Sequence, residues 1–321
     1  METAEIYTGV DVPALSDKES AIIRTLLYFG VFNYPLTLTE IHENCQFIRC
    51  TQGEVETKVQ EFCKKKLVNK FGDFYFITGN TSQIERRKSG NQRAANYFSK
   101  AQHYSRLISF FPFVEAVYIS GSLAKGFVDE KGDIDYFIIT RPNRLWLCRS
   151  LLIIFKKLFL LNSHKYFCLN YFIDSSTIEI PDQNIFTATE LVFAIPMYNR
   201  DLCSKFERSN LWKHMYYPNK PLPDMQHIPT VNNGLLKTAM EHLLGKEFGE
   251  ILDEKFFKLT LGHWKKKFPD FDESTFDLNM RSRKNVSKHH PSGFQQRVLL
   301  AQQQAIQAFE KQHQLSLSSI Q

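Results

Sequence analysis

Along the first eighty residues, apolar positions recur every three or four places in three short blocks, and each block opens with the same signal. Ser16 and Glu19, Thr37 and Glu40, and Thr51 and Glu54 each place a hydroxyl three residues before a glutamate. In this capping box the two side chains satisfy free backbone amides at a helix start. Three helices are therefore predicted between residues 17 and 65. Pro35 separates the first two, and the third runs from Gln52 to Lys65. The run LVNKFGDFYFIT that follows reads as two short strands turning at Gly72 and Asp73.

Residues 80–92 (NTSQIERRKSGNQ) are polar, contain Gly90 and carry no apolar period, which predicts a linker. Helical spacing returns from Arg93 to Phe111. Three apolar runs rich in β-branched and aromatic residues then read as buried strands: VEAVYIS, DIDYFIIT (133–140) and KYFCLNYFI (165–173). An apolar helix, 145–161, lies between the second and third. Arg149, Lys156 and Lys157 interrupt it before the roughly 20 residues a membrane span needs, so it is expected to be a buried helix and no span is expected. Strands mixed with covering helices predict an α/β core over 93–180. After Pro181 the pattern is mostly helical: Thr187 and Glu190 open one helix by the same capping pattern, and residues 235–260 and 293–312 carry others. A C-terminal helical domain is expected over 181–321. In front of the core, residues 1–80 resemble a winged helix-turn-helix domain.

Composition narrows the function. With 43% apolar and 23% charged residues over 321 positions, the chain is an ordinary globular one with room for two or three units. Six cysteines without a C-x-x-C pair, and no secretory signal pattern, predict free thiols and a cytoplasmic setting. A net charge of +6 suits phosphate-bearing ligands but is far from the basicity of an obligate nucleic-acid binder. Residues 17–73 hold eight basic and eight acidic side chains. Glu54 and Glu56 occupy the first turns of the third helix, where a recognition helix would meet phosphates, so DNA binding is disfavoured and an accessory domain that packs on its neighbour or on a partner protein is the better expectation.

The chemistry concentrates in ISGSLAKGFVDEKGDIDYFIIT, 119–140. Gly121 and Ser122 close one strand; Asp133 and Asp135 open the next after ten intervening residues. A glycine at a strand end lets a ligand approach the backbone, and its amide with that of Ser122 can meet phosphate oxygens. Two aspartates two apart on a strand project from one face and can together hold hard divalent cations, while Ile134 and Tyr136 face the core. Two ions about 4 Å apart would suit in-line displacement at phosphorus. Lys125 is placed to balance triphosphate charge.

This segment resembles the signature of the DNA polymerase beta-type nucleotidyltransferase superfamily: an apolar residue, Gly-Ser, a spacer, then Asp-apolar-Asp-apolar. The whole chain, with its winged helix in front and helical tail behind, resembles bacterial nucleotidyltransferase domain proteins of unassigned substrate. The resemblance implies a small α/β core with a mixed sheet, Mg2+ as cofactor, a nucleoside triphosphate donor, an acceptor whose identity it does not give, and pyrophosphate as leaving group. It also implies a third carboxylate from a later strand. In KYFCLNYFID, strand alternation puts Cys168, Asn170, Phe172 and Asp174 on one face. Asn170 stands mid-strand where the acid is expected; as an amide it can ligate but takes no proton. Asp174, at the strand end, is therefore the candidate base, with a strand-end cap as the alternative, and Glu190 is assigned to its capping box. A basic stretch, Arg281, Arg283, Lys284, Lys288, His289, His290 and Arg297, is open to two readings, an anion site or a solvated loop. The rival to an enzyme is a nucleotide-sensing or partner-binding module that keeps the fold without turnover.

Overall fold

The structure, a computed structural model, describes residues 13–231 and 234–320. In chain order its elements are α1 (Asp17–Gly30), α2 (Leu38–Glu43), α3 (Gln52–Lys64), β1 (Asn69–Phe71), β2 (Phe74–Phe76), α4 (Ser82–Ser109), β3 (Val114–Ser120), α5 (Gly121–Ala124), β4 (Asp135–Thr140), α6 (Leu145–Phe159), β5 (Cys168–Asp174) and α7 (Ile185–Phe193). There follow β6 (Ile195–Tyr198), α8 (Arg200–Ser209), α9 (Lys213–Tyr216), α10 (Leu235–Leu243), α11 (Glu247–Lys267), α12 (Glu273–Met280), β7 (Ser282–Arg283), β8 (Val286–Lys288) and α13 (Phe294–His313). Two compact units result. One runs to Ile84 and takes in Tyr216–Lys220 and the chain from Val298 onward; the other holds Glu85–Met215 and Pro221–Arg297.

In the first unit all three capping boxes form as the sequence predicts. The Thr51 amide donates to Glu54 Oε2 at 2.8 Å and the Thr37 amide to Glu40 Oε2 at 2.8 Å, while Ser16 Oγ accepts from the Glu19 amide. Each such cap is worth about 1 kcal/mol. The helices bury Ile22, Leu26, Ile41, Val55, Val59 and Phe62 almost completely, and β1 and β2 form an antiparallel hairpin pairing Asn69 with Phe76.

The expected linker at 80–92 is instead the start of a 28-residue helix, α4. Its buried positions mix Ile84 and Ile108 with small or polar residues, Gln83, Arg87, Gly90, Ala94, Ala101, Ser105 and Ser109, so its apolar signal is faint. Gly90 sits inside the helix because Phe127 lies against it: a Cβ there would be 2.2 Å from the Phe127 ring. At the surface Arg86 pairs with Asp129 at 2.6 Å, while Gln83 and Arg87 are buried.

The second unit is a mixed α/β layer. Its six-stranded sheet has the order β6-β3-β4-β5-β8-β7. All pairs are antiparallel except β4 with β5, and that parallel pair requires a crossover, which α6 supplies. Strand alternation sends Val117, Ile119, Ile134, Tyr136, Ile138 and Phe172 to one face, under α4 and α6, and Ala116, Tyr118, Phe137, Ile139 and Ile173 to the other, against α8. Each such side chain fully removed from water contributes roughly 1.5–3 kcal/mol. Three of these strands were expected. The remainder, β6, β7 and β8, fall in the stretch expected to be helical; they are two to four residues long and owe their existence to pairing with distant partners.

Helix α6 buries Leu145, Trp146, Leu147, Cys148 and Leu152, as expected for a covering helix. Its last turn departs from that expectation: Leu158 and Phe159 stay exposed, as does Leu161 beyond it. No helix among the described residues is long and apolar enough to cross a membrane. At the other end, Arg144 offers no side-chain cap, and Asp253 of α11 takes over, accepting from the Leu147 amide at 2.8 Å. Burial raises the Asp253 carboxyl. Trp146 meets Phe257 of α11 at a tilt and Trp264 edge-on, with ring centroids at 5.0 and 6.1 Å, so α6 is clamped where it carries the chain from β4 to β5.

Candidate functional site

The site is assembled where β3 ends and β4 and β5 begin. Ser120 pairs with Asp135 across β3 and β4, and Asp135 pairs with Cys168 across β4 and β5. Gly121, the next residue, turns the chain out of the sheet with φ of 67°, a left-handed conformation. A Cβ on Gly121 would stand 2.3 Å from Asp135 Oδ2. Glycine is thus required twice over, by backbone angle and by the carboxylate beside it.

Ligand atoms of Asp133, Asp135 and Cys168 all lie within 4.8 Å of one another, so these three form a group that could hold a metal ion. Asp133 and Asp135 are half-buried; Cys168 is buried. Close surroundings first, and the negative charge of Asp133 second, push the Asp135 carboxyl up to about 7. Burial and a neighbouring carboxylate both disfavour the charged form of an acid. Burial, then Asp135 and Asp133, raise the Cys168 thiol far out of the physiological range, so it stays protonated beside the acids. Lys125 donates to the Gly121 carbonyl at 3.2 Å and to Glu190 Oε1 at 2.8 Å, and Ser122 is half-exposed on the same turn.

Asn170 does belong here: its Nδ2 donates to Asp135 Oδ1 at 2.6 Å. It does so from a bulge. Between the pairs Tyr136 with Leu169 and Phe137 with Tyr171, β5 carries one extra residue, and that residue is Asn170. The bulge overturns the expected shared face. Cys168 and Asn170 stay at the site, but Phe172 packs in the core on the opposite side, and Asp174 follows its phase. Asp174 also pairs with Thr140, five residues along β4 from Asp135, about 16 Å away at strand rise. Its Oδ1 accepts from the Ser176 amide and hydroxyl at 3.0 and 2.5 Å. It caps the turn after the strand, and the candidate base is removed from the site.

Glu190 moves the other way. Helix α7 is capped by Asn184, whose side chain accepts from the Thr187 amide at 3.0 Å, one turn before the expected start. Glu190 is released from capping and holds Lys125, close enough to Asp135 to help raise its pKa. Alternation also identifies Cys168, given the register of β4 and β5, which the sequence alone does not supply. Part of the basic stretch is paired with acids from other elements: Arg281 makes a two-pronged contact with Asp182 at 3.0 Å, Arg283 meets Asp277 and Lys284 meets Glu254. All six cysteines are free thiols.

No protein-family model matches the chain, no curated protein matches it, and no solved structure does.

Proposed function

We propose that this chain is a metal-dependent nucleotidyltransferase: it moves a nucleoside monophosphate from a triphosphate to an acceptor hydroxyl or phosphate and releases pyrophosphate. The sheet-bearing unit is read as a nucleotidyltransferase core and the N-terminal helices with their hairpin as a winged helix used for contact with a protein partner. One observation carries the proposal: two aspartates converge beside a glycine that cannot bear a side chain without striking one of them.

The donor set fits a hard divalent cation. Asp133 and Asp135 supply oxygens of the type Mg2+ takes, and Asp135, whose carboxyl is raised by burial first and by Asp133 second, would be stabilised in its charged form by a cation. Cys168, kept as a thiol, is a poor partner for such an ion and is read as packing beside it. When bound, Mg2+ neutralises charge on the triphosphate and on the reacting oxygens. The chain's own residues do the rest. Gly121 leaves room for phosphate oxygens at the backbone, Ser122 offers a hydroxyl, and Lys125 offers a charge now held by Glu190. Asn170 donates to one oxygen of Asp135 and so fixes the plane of that carboxylate.

A nucleotide-sensing module remains the second reading, favoured by one feature: the β5 positions facing Asp135 are Cys168 and Asn170, neither an acid. Incubation with triphosphates labelled at the α-phosphate, Mg2+ and a cell extract separates the two. Transfer of label that is lost in Asp135→Asn supports the enzyme. Tight triphosphate binding with no transfer to any fraction supports the sensor.

A further inference from the structure

One end of the helical layer made by α4 and α6 presents apolar side chains to water. Ile154 and Leu158 share a stripe of α6 and Leu161 follows just past the helix end; they are 45%, 68% and 90% exposed. Phe159, 70% exposed, stacks on Phe155 at 5.0 Å, and Phe155 meets Phe111, just beyond α4, edge-on at 5.2 Å. The apolar tip is thus fixed to the body of its unit. Leu161 is the least comfortable part of it. Its φ of 48° is the left-handed angle at which a chain commonly leaves a helix, a position that glycine fills with least strain. A leucine there strains the backbone and, facing water, makes no compensating contact.

Charge around the tip has one sign. From Arg86 to Val114 and from Tyr136 to Ile173 the sequence has no acidic residue, while it holds Lys100, Arg106, Lys157 and Lys165, all exposed. Ring contacts tie two of these lysines to the tip, running from Phe159 through Phe155, Phe167 and Tyr104 to Tyr166. Lys100 Nζ donates to the Tyr166 hydroxyl at 3.1 Å, and Lys165 lies over the same ring at 5.3 Å. Among the described residues, none of Lys100, Lys157 and Lys165 pairs with a carboxylate.

We propose that this end of the α4–α6 layer is a membrane-surface site: Leu158, Phe159 and Leu161 enter the boundary between headgroups and acyl chains of an anionic lipid layer, and Lys100, Lys157 and Lys165 meet its headgroups. Projecting aliphatic side chains beside lysines that no acid neutralises match such a layer in both its apolar depth and its charge. A nucleic acid would engage the lysines but has no use for the leucines, since its bases stack on aromatic groups. A second copy docked through the same patch would set lysines against lysines. The site goes beyond the transferase reading and does not depend on it.

The test is co-sedimentation of the full chain with vesicles of about 30% phosphatidylglycerol in phosphatidylcholine, beside vesicles of phosphatidylcholine alone. Binding to the anionic vesicles is expected, at least about tenfold weaker to the neutral ones, and weakened likewise as salt rises from about 0.05 to 0.5 M. Leu158→Ser combined with Leu161→Ser should lower it about tenfold or more; both side chains face water, so the variant keeps its fold. Leu161→Gly separates binding from folding: it relieves the left-handed angle, so the melting temperature should not fall, while vesicle binding weakens. Lys157→Gln combined with Lys165→Gln should weaken binding to anionic vesicles about tenfold or more and leave the neutral ones unchanged. No binding to anionic vesicles, or equal binding by the double serine variant, overturns the proposal. Self-association that this variant abolishes assigns the face to a second copy, and RNA binding that it abolishes assigns the face to nucleic acid; either result also overturns it.

Discussion

Gly121 and Asp135 touch through a side chain that is not there: the space a Cβ would fill on Gly121 is taken by Asp135 Oδ2, 2.3 Å away. An alanine at 121 must either turn the backbone out of its left-handed angle or push the carboxylate off Asp133. Gly121→Ala is therefore expected to lose divalent-cation binding while costing about 1–2 kcal/mol of stability. Titration with Mn2+ followed by electron paramagnetic resonance, beside a denaturant melt, measures both; unchanged Mn2+ affinity would show that the two residues are not coupled.

Removing one acid should act differently from removing the thiol. Asp135→Asn is expected to weaken Mn2+ binding at least about 100-fold, and Cys168→Ser to change it by less than about threefold, because a hard ion takes its charge from carboxylates. Placing an acid at the same position, Cys168→Asp, is expected to tighten the ion by adding a third charged ligand. Chelation with EDTA should abolish label transfer in the wild type, and Mg2+ should restore it.

Acid should destabilise the second unit through its two adjacent histidines. Burial is the first cause that brings both His289 and His290 from 6.5 down to about 4; neighbouring cations add to it. Between those values the unfolded chain binds protons that the folded one refuses. Their contribution is thus full above pH 6.5 and is lost as the pH falls through 4. Denaturation midpoints measured from pH 7 to 4 should decline with a slope that His290→Gln reduces, and an unchanged slope would remove the histidines from the account.

Lys213 and Glu207 make a buried pair at 2.6 Å in which Glu207 Oε1 has no other partner. Lys213→Met leaves that carboxylate alone and should cost about 3–5 kcal/mol. Adding Glu207→Leu should recover much of the loss, since a hydrophobic pair avoids the desolvation altogether. A double-mutant cycle by urea unfolding reads the coupling, and strictly additive losses would refute it.

Features coded by neighbouring residues were the legible ones. The capping boxes, the three long strands, α6 and the closeness of Gly121 to the acidic pair follow from patterns a few residues wide. What escaped was coded at a distance. Helix α4 hid because its buried positions carry few large apolar side chains beside small and polar ones, and Gly90 reads as a breaker until Phe127 is seen against it. Glu190 satisfied a capping pattern with Thr187, yet Asn184 captured the helix start and freed it for Lys125. Strands as short as β7 and β8 have no period of their own to show.

Asn170, the surplus residue in β5, splits that strand into two halves that are out of step with each other. Deleting it would close the bulge and leave Leu169 and Tyr171 in regular alternation, so the residues from Tyr171 onward would keep their layers while the site lost the amide that holds Asp135. The core of the strand is therefore indifferent to the extra residue, and the bulge serves the site alone, by carrying an amide to the Asp135 carboxylate.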